Sequence, residues 1–257
     1  MKNELKLISR LAQNDIKSRY SSSFFGIIWA FVMPLITILV FWYVFQLGFK
    51  NLPVSNAPYI LWFSAAYVPW IFFTDVITYG SNSFIEYSYL VKKIKFKIIY
   101  IPLIKLISAI FVHGFFILFL FFMFVLYRYP ITVYSIQILY YSFALSVLAL
   151  GLNYLFASVT VFFRDASSMI NIIIQIGFWV TPILWDEKSM VDKRVIRVLS
   201  LNPIHYVING YRDSLIYCKG FWDNPAETAY FWSFSLILFV LGITVFKRLS
   251  PFFADEV

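Results

Sequence analysis

RYSSSFFGIIWAFVMPL, residues 19–35, is the stretch that decides the fold. Upstream of it charges recur every third or fourth residue, whereas residues 20–49 carry none. The chain passes here from an aqueous boundary into a medium that does not solvate charge. On the upstream side, Lys6, Arg10, Gln13 and Lys17 share one helical face, in steps of four, three and four. Leu5, Ile8, Leu11, Ala12 and Ile16 fall mostly opposite. Residues 1–20 therefore read as an interfacial helix lying apolar side down in the headgroup layer; a solvated tail is the alternative.

Downstream, a spanning helix needs about 20 apolar residues. Six runs meet that: 24–49, 59–83, 103–127, 134–163, 166–185 and 228–246. The composition agrees. The chain is 61% hydrophobic and only 13% charged, about half the charge of a soluble domain, so lipid must cover much of its surface. With both ends placed inside, 13 of the 21 Lys and Arg fall on inner segments, the side that positive charge selects. The net charge of +8 then reads as orientation and anionic-lipid contact rather than nucleic-acid binding. No cleavable apolar leader is visible. The reading is one all-α membrane domain over residues 1–257. It comprises an interfacial segment 1–22, a cytoplasmic helix 84–98 and an outer re-entrant region 186–222.

That cytoplasmic helix is read from Phe84, Tyr87, Val91, Ile94 and Ile98 at helical intervals, with lysines crowded from Lys92 to Lys97. A lipid-headgroup anchor is its simpler reading. In the loop after the fourth run Arg164 and Asp165 are adjacent, and Asp165 is placed to cap a helix opening at Ala166. Residues 186–222 mix polar and short apolar stretches around Asn202-Pro203, which fits re-entrant helices covered by protein or a watery cavity.

The sequence lacks most catalytic signatures. It has no GxxxxGK[ST] phosphate loop, no HExxH and no GxSxG. One cysteine and two histidines make a metal site unexpected. Asp75 is the one carboxylate inside an expected span and is a functional candidate on that ground. A watery vestibule or the hydroxyls of Thr74 or Thr78 are the local ways to satisfy it. His113 reads as a hydrogen-bond partner of a neighbouring helix and His205 as an interfacial polar group. Arg212 needs a partner if buried. Asp213 is adjacent and badly aimed, which leaves a phosphate, a more distant carboxylate or snorkelling to water. Trp29, Trp42, Tyr43, Trp62, Tyr67, Trp70, Phe73 and Trp179 add an aromatic excess. Sugar rings lie flat on such rings, so together these residues suggest a glycan path; singly, helix packing and an interfacial belt explain each of them.

Five segments in order resemble the membrane subunit of the type-2 ABC exporters of polysaccharides, the family of O-antigen, capsule and teichoic-acid permeases. They are DIKSRYSSSFFGIIWAFVMPLI (15–36), FIEYSYLVKKIKF (84–96), VFFRDASSM (161–169), TPILW (181–185) and LNPIHYVINGYRDSLI (201–216). The resemblance implies six spans and a homodimer with a pore between the copies. It also implies two separate ATP-binding subunits, which would hold ATP and Mg while this chain holds no cofactor. Carried over by position, Phe84, Glu86, Tyr87, Leu90, Arg164 and Asp165 would meet the ATPase. Asn202, Pro203, Tyr206 and Arg212 would form an outer gate. Arg10, Lys17 and Arg19 would draw the diphosphate of a lipid-linked polysaccharide. The expected setting is a bacterial inner membrane with both termini cytoplasmic and O-antigen as the foremost cargo. Teichoic-acid or capsule export stays open, as does an integral-membrane glycosyl or acyl transferase using Asp75 or His113.

Overall fold

The computed structural model describes residues 2–21, 23–48, 57–93, 96–187 and 193–257. Among them the chain is helical, with five helical stretches long and apolar enough to cross a membrane. Helix α1, Lys2–Arg19, precedes the first of these, Gly26–Gly48. The bend between them turns on Gly26, whose φ of +52° suits a residue without Cβ. This first span opens with a 3-10 turn, continues as α2 (Trp29–Phe41) and ends in a π-helical segment, Trp42–Gly48.

The centre of the molecule is α3, Tyr59–Ser81. Of its 23 residues 17 are buried, and they lie on every side of the helix. A helix apolar all round belongs inside a bundle rather than at its edge. It is enclosed by α2, by α6 (Tyr100–Leu126), α7 (Gln137–Phe162), α8 (Ala166–Val180) and α10 (Pro203–Arg212). Pro69 interrupts its hydrogen-bond ladder, which protein on all sides makes tolerable. Past the short α9 (Lys193–Leu199) and α10, helix α11, Pro225–Leu249, is the last long one and packs along α7.

That last pairing depends on two glycines. A Cβ on Gly242 would overlap the carbonyl oxygen of Gly151, and one on Gly151 would stand 2.7 Å from the Cα of Phe239. Small residues let membrane helices approach to backbone contact. Here the atoms in the way are main chain and do not yield. Gly242→Ala should destabilise by about 1–3 kcal/mol or more, read as a lower melting temperature in detergent. Gly114→Ala is the control: nothing lies within 4 Å of its Cβ, and alanine favours a helix by about 1 kcal/mol over glycine. Equal melting of the Gly242 variant and wild type would show that the two helices separate freely.

A second core lies at the end of the bundle that carries both termini. Ile8 and Ala12 of α1, Phe84, Tyr87, Leu90, Ile101, Ile104, Tyr154, Phe246 and Phe253 are buried together there. The amphipathic face expected for α1 is real: Lys6, Arg10, Gln13 and Lys17 are exposed, while Ile8, Ala12 and Ile16 are buried. Its apolar side, however, rests on α6 and this second core rather than on lipid.

Two further expectations change. The helix expected over 84–98 is two single turns, α4 (Ser83–Glu86) and α5 (Ser88–Val91), broken at Tyr87. Ile94 and Lys95, which extend that reading, lie outside the described residues, as do Lys50 and Lys188. The fifth of the six expected spans, 166–185, is helical only through Val180. Fifteen residues rise about 22 Å, short of the roughly 30 Å hydrocarbon thickness. Thr181 is extended, the conformation that a following proline imposes, and residues 181–185 form a turn.

Candidate functional site: a charged joint, an aromatic groove and a turn held by a buried arginine

The charged joint lies where α1, α3, α4 and α6 meet. Asp15, 1% exposed, is its hub. It accepts from Arg19 Nε and Nη2 at 3.0 and 2.7 Å, from Lys105 Nζ at 2.7 Å and from the Tyr87 hydroxyl at 2.9 Å. Arg19 reaches on to both oxygens of Asp75 at 3.2 Å and lies over the Tyr79 ring at 4.1 Å. Lys105 also donates to Glu86. Three carboxylates and two cations thus form one chain of charge-assisted bonds, each group holding the next in a low-dielectric setting. Burial pushes the Asp15 carboxyl up, but attraction to Arg19 and Lys105 outweighs it, and the group sits below its ordinary value. Burial likewise opposes the Arg19 charge, and Asp75 and Asp15 more than restore it.

This geometry revises several sequence expectations. Asp75 is satisfied by Arg19; Thr74 instead donates to the Ile71 carbonyl. Arg19 is turned inward, and of the three residues assigned to a lipid diphosphate only Arg10 and Lys17 are exposed. Phe84, Tyr87 and Leu90 are buried within the chain, so the outward side of the α4–α5 turn is carried by Glu86 and by Tyr89, 54% exposed. Arg164 and Asp165 are exposed at the same end. Asp165 precedes α8, but its side chain makes no capping bond.

The groove lies between α2, α3 and α8. Its cavity of about 460 Å³ is lined by Met33, Pro34, Thr37, Tyr67, Trp70 and Trp179 among others, with Thr74 and Gln175 adding polar groups. Behind this wall the buried Tyr59 and Phe63 continue the line of Tyr67 at four-residue steps along α3, a ladder with centroids 6.2 and 5.1 Å apart. Phe41 of α2 and Phe178 of α8 close on it, with Phe178 6.2 Å from Tyr67 and 6.0 Å from Trp70. Phe41, Phe63 and Phe178 were not singled out from sequence, although the i, i+4 spacing of the ladder was visible there. Of the expected aromatics, Tyr67, Trp70 and Trp179 line the groove. Trp62 and Phe73 are buried in the core, Trp29 and Trp42 are partly buried, and Tyr43 is exposed.

At the opposite end side chains of other elements tie down the turn after α8. Arg212, 3% exposed, donates to the carbonyls of Trp62, Pro182 and Ile183 at 3.3, 2.6 and 3.0 Å, and lies 3.4 Å over the Trp62 ring. Carbonyl oxygens are thus the partners that the sequence reading sought in a phosphate, a carboxylate or water. Tyr59 donates to the Leu184 carbonyl and Asn202 to Thr181 Oγ1. Asn202 also caps α10, and Pro203 opens that helix. Tyr206 bonds Tyr140 and Thr228. His205 pairs with Glu187 at 2.6 Å, beyond the simple interfacial role expected of it. His113 bonds Ser142 and Tyr211, the interhelical role expected.

Comparison with known proteins fits this architecture. Two proteins of Klebsiella pneumoniae, each described as an O-antigen export system permease protein, RfbA, are 25% identical to the chain over 254 residues, 97% of this chain and 94% of theirs. A Myxococcus xanthus protein of the same description is 26% identical over 220 residues, 80% of this chain and 78% of its own. Residues 6–216 match the ABC-2 type transporter family. That match spans the joint, the groove, the turn and the buried arginine alike, and the chain belongs to the ABC-2 type transporters.

Proposed function

We propose that this chain is the channel-forming half of an ATP-driven exporter that carries a lipid-linked polysaccharide, O-antigen first among the candidates, across a bacterial inner membrane. In this reading two copies face each other across the pore, both termini are cytoplasmic, and two ATP-binding subunits supply ATP, Mg and hydrolysis. The observation that carries it is the groove. An open wall of aromatic rings interrupted by Thr37, Thr74 and Gln175 offers flat faces to sugar rings and a few polar contacts to their hydroxyls, without a deep pocket that would arrest a long chain. The relatives described as O-antigen export permeases point the same way.

Force would enter through the end that bears α4 and α5. Because Phe84, Tyr87 and Leu90 are locked into the second core, a push on Glu86 or Tyr89 moves α4, α5 and α1 together. The Arg19–Asp75 contact then passes that movement to α3, the helix that walls the groove. Rigid elements joined at such contacts transmit small displacements over distance.

The test is reconstitution with the ATP-binding partner. Tyr89 lies 6.0 Å from the Tyr87 ring but makes none of the joint's hydrogen bonds, so Tyr89→Glu reverses the character of the exposed contact and leaves those bonds in place. We expect the complex to hydrolyse ATP while export falls about tenfold or more, a loss of roughly 1.4 kcal/mol or greater in coupling. Undiminished export would remove Tyr89 from the contact. Export by the chain without any ATPase, or transferase activity in the purified chain, would overturn the proposal.

A further inference from the structure

We infer that the polar pocket at the outer end of α3 and α10 is a binding subsite for one neutral sugar residue of the exported glycan, an inference that rests on the function proposed above. The pocket has a volume of about 290 Å³. It lies beside the held turn and is separate from the groove: along α3, Trp62 stands eight residues, or about 12 Å, outward of Trp70.

Its lining selects the ligand class. Four carboxylates, Asp186, Glu187, Asp213 and Glu227, share the lining with three cations, the buried Arg212 and the exposed Arg197 and Lys219. The lining carries one negative charge in excess, which disfavours a phosphate, and among the described residues no group of three ligands suits a metal ion. Many hydrogen-bonding groups with little net charge suit a ligand rich in hydroxyls, each of which donates to a carboxylate and accepts from an amide or cation. The inner wall is built in advance. Glu187 accepts from Asn209 Nδ2 at 3.2 Å and pairs with His205, whose Nε2 is 3.1 Å from the same Asn209 nitrogen. Asparagine and glutamate are therefore fixed on the rigid α10 scaffold, and the partial burial of Glu187 is offset by its bond to His205, which holds its carboxyl below the ordinary carboxylate range. Arg212 and the Trp62 ring close the floor, while Asn224 and Glu227 stand exposed at the rim.

A subsite here gives an exporter a grip on the outer side. A sugar held between strokes would oppose backsliding of the chain while the groove releases its hold.

Photo-crosslinking in cells producing the exported glycan tests this directly. p-Benzoylphenylalanine is placed at Asn224 or Glu227 on the rim, at Thr37 in the groove, and at exposed Val133, outside both linings, as the control. After irradiation the permease is purified and stained for periodate-sensitive glycan. We expect a glycan ladder from Asn224 and Glu227 as from Thr37, and none from Val133. Adding Asn209→Leu with Glu187→Gln should reduce the rim ladder at least fivefold while the Thr37 ladder persists. A Thr37 ladder with rim signals at the Val133 level overturns the subsite and leaves the export function standing. A rim ladder unchanged by the double substitution also overturns it, since the glycan then merely passes by. Silence at Thr37 as well removes the function and the subsite with it.

Discussion

Asp15→Ala should be the most damaging single substitution in the joint. It leaves Lys105, 1% exposed, with Glu86 alone and Arg19 with Asp75 alone, and it strips the Tyr87 hydroxyl of its acceptor. Breaking a buried ion pair by removing one partner costs about 3–5 kcal/mol, because the surviving charge stays buried. In a chain of this size that corresponds to a fall of about 10 °C in melting temperature. Asp15→Asn keeps the shape and one acceptor oxygen, so its loss should be smaller. The pH dependence follows from the sign of the shift. The folded carboxyl titrates below its ordinary 3.8. Its contribution is therefore complete above that value and fades as pH falls through the folded one. The gap between wild type and Asp15→Asn should hold constant between about pH 8 and pH 5 and narrow only in acid. An Asp15→Ala protein that melts within about 2 °C of wild type would show that the joint does not hold α1 in place.

The joint also shows where sequence reading stops. The exposed face of α1 was legible because Lys6, Arg10, Gln13 and Lys17 repeat on it. Amphipathicity names the buried side, not the neighbour that covers it, so α6 was read as lipid. Arg19 and Asp75 are 56 residues apart, and no local pattern joins them. Each nonetheless carried a warning, since a charge at the edge of an apolar run and a carboxylate within one both require a partner. The single-residue break at Tyr87 was hidden because Phe84, Tyr87 and Val91 keep helical spacing across it. The end of α8 was the reverse case. Pro182 marked the stop, but residues 181–185 are as apolar as a span, and hydropathy does not separate helix from a turn whose carbonyls are bonded from elsewhere.

Those carbonyls make Arg212 the second decisive position. Its guanidinium bonds three backbone oxygens from two elements and stacks on Trp62; a planar fork with several donors does this and a single ammonium does not. Arg212→Met fills the space but leaves three buried carbonyls without their donor, at about 1–3 kcal/mol each. The non-additivity of neighbouring losses brings the expected total to about 3–5 kcal/mol. Arg212→Lys recovers at most part of this and separates stability from sealing. If the turn and α10 close the outer end of the pore, the lysine variant should elute as wild type yet pass a small fluorescent dye out of proteoliposomes several times faster. The leak arises because the turn over Pro182 and Ile183 loses its tie to α3 while the bundle beneath keeps its core. A lysine variant that melts with wild type and retains dye equally well would mean that the three carbonyls find other donors, and that the outer closure does not depend on this arginine.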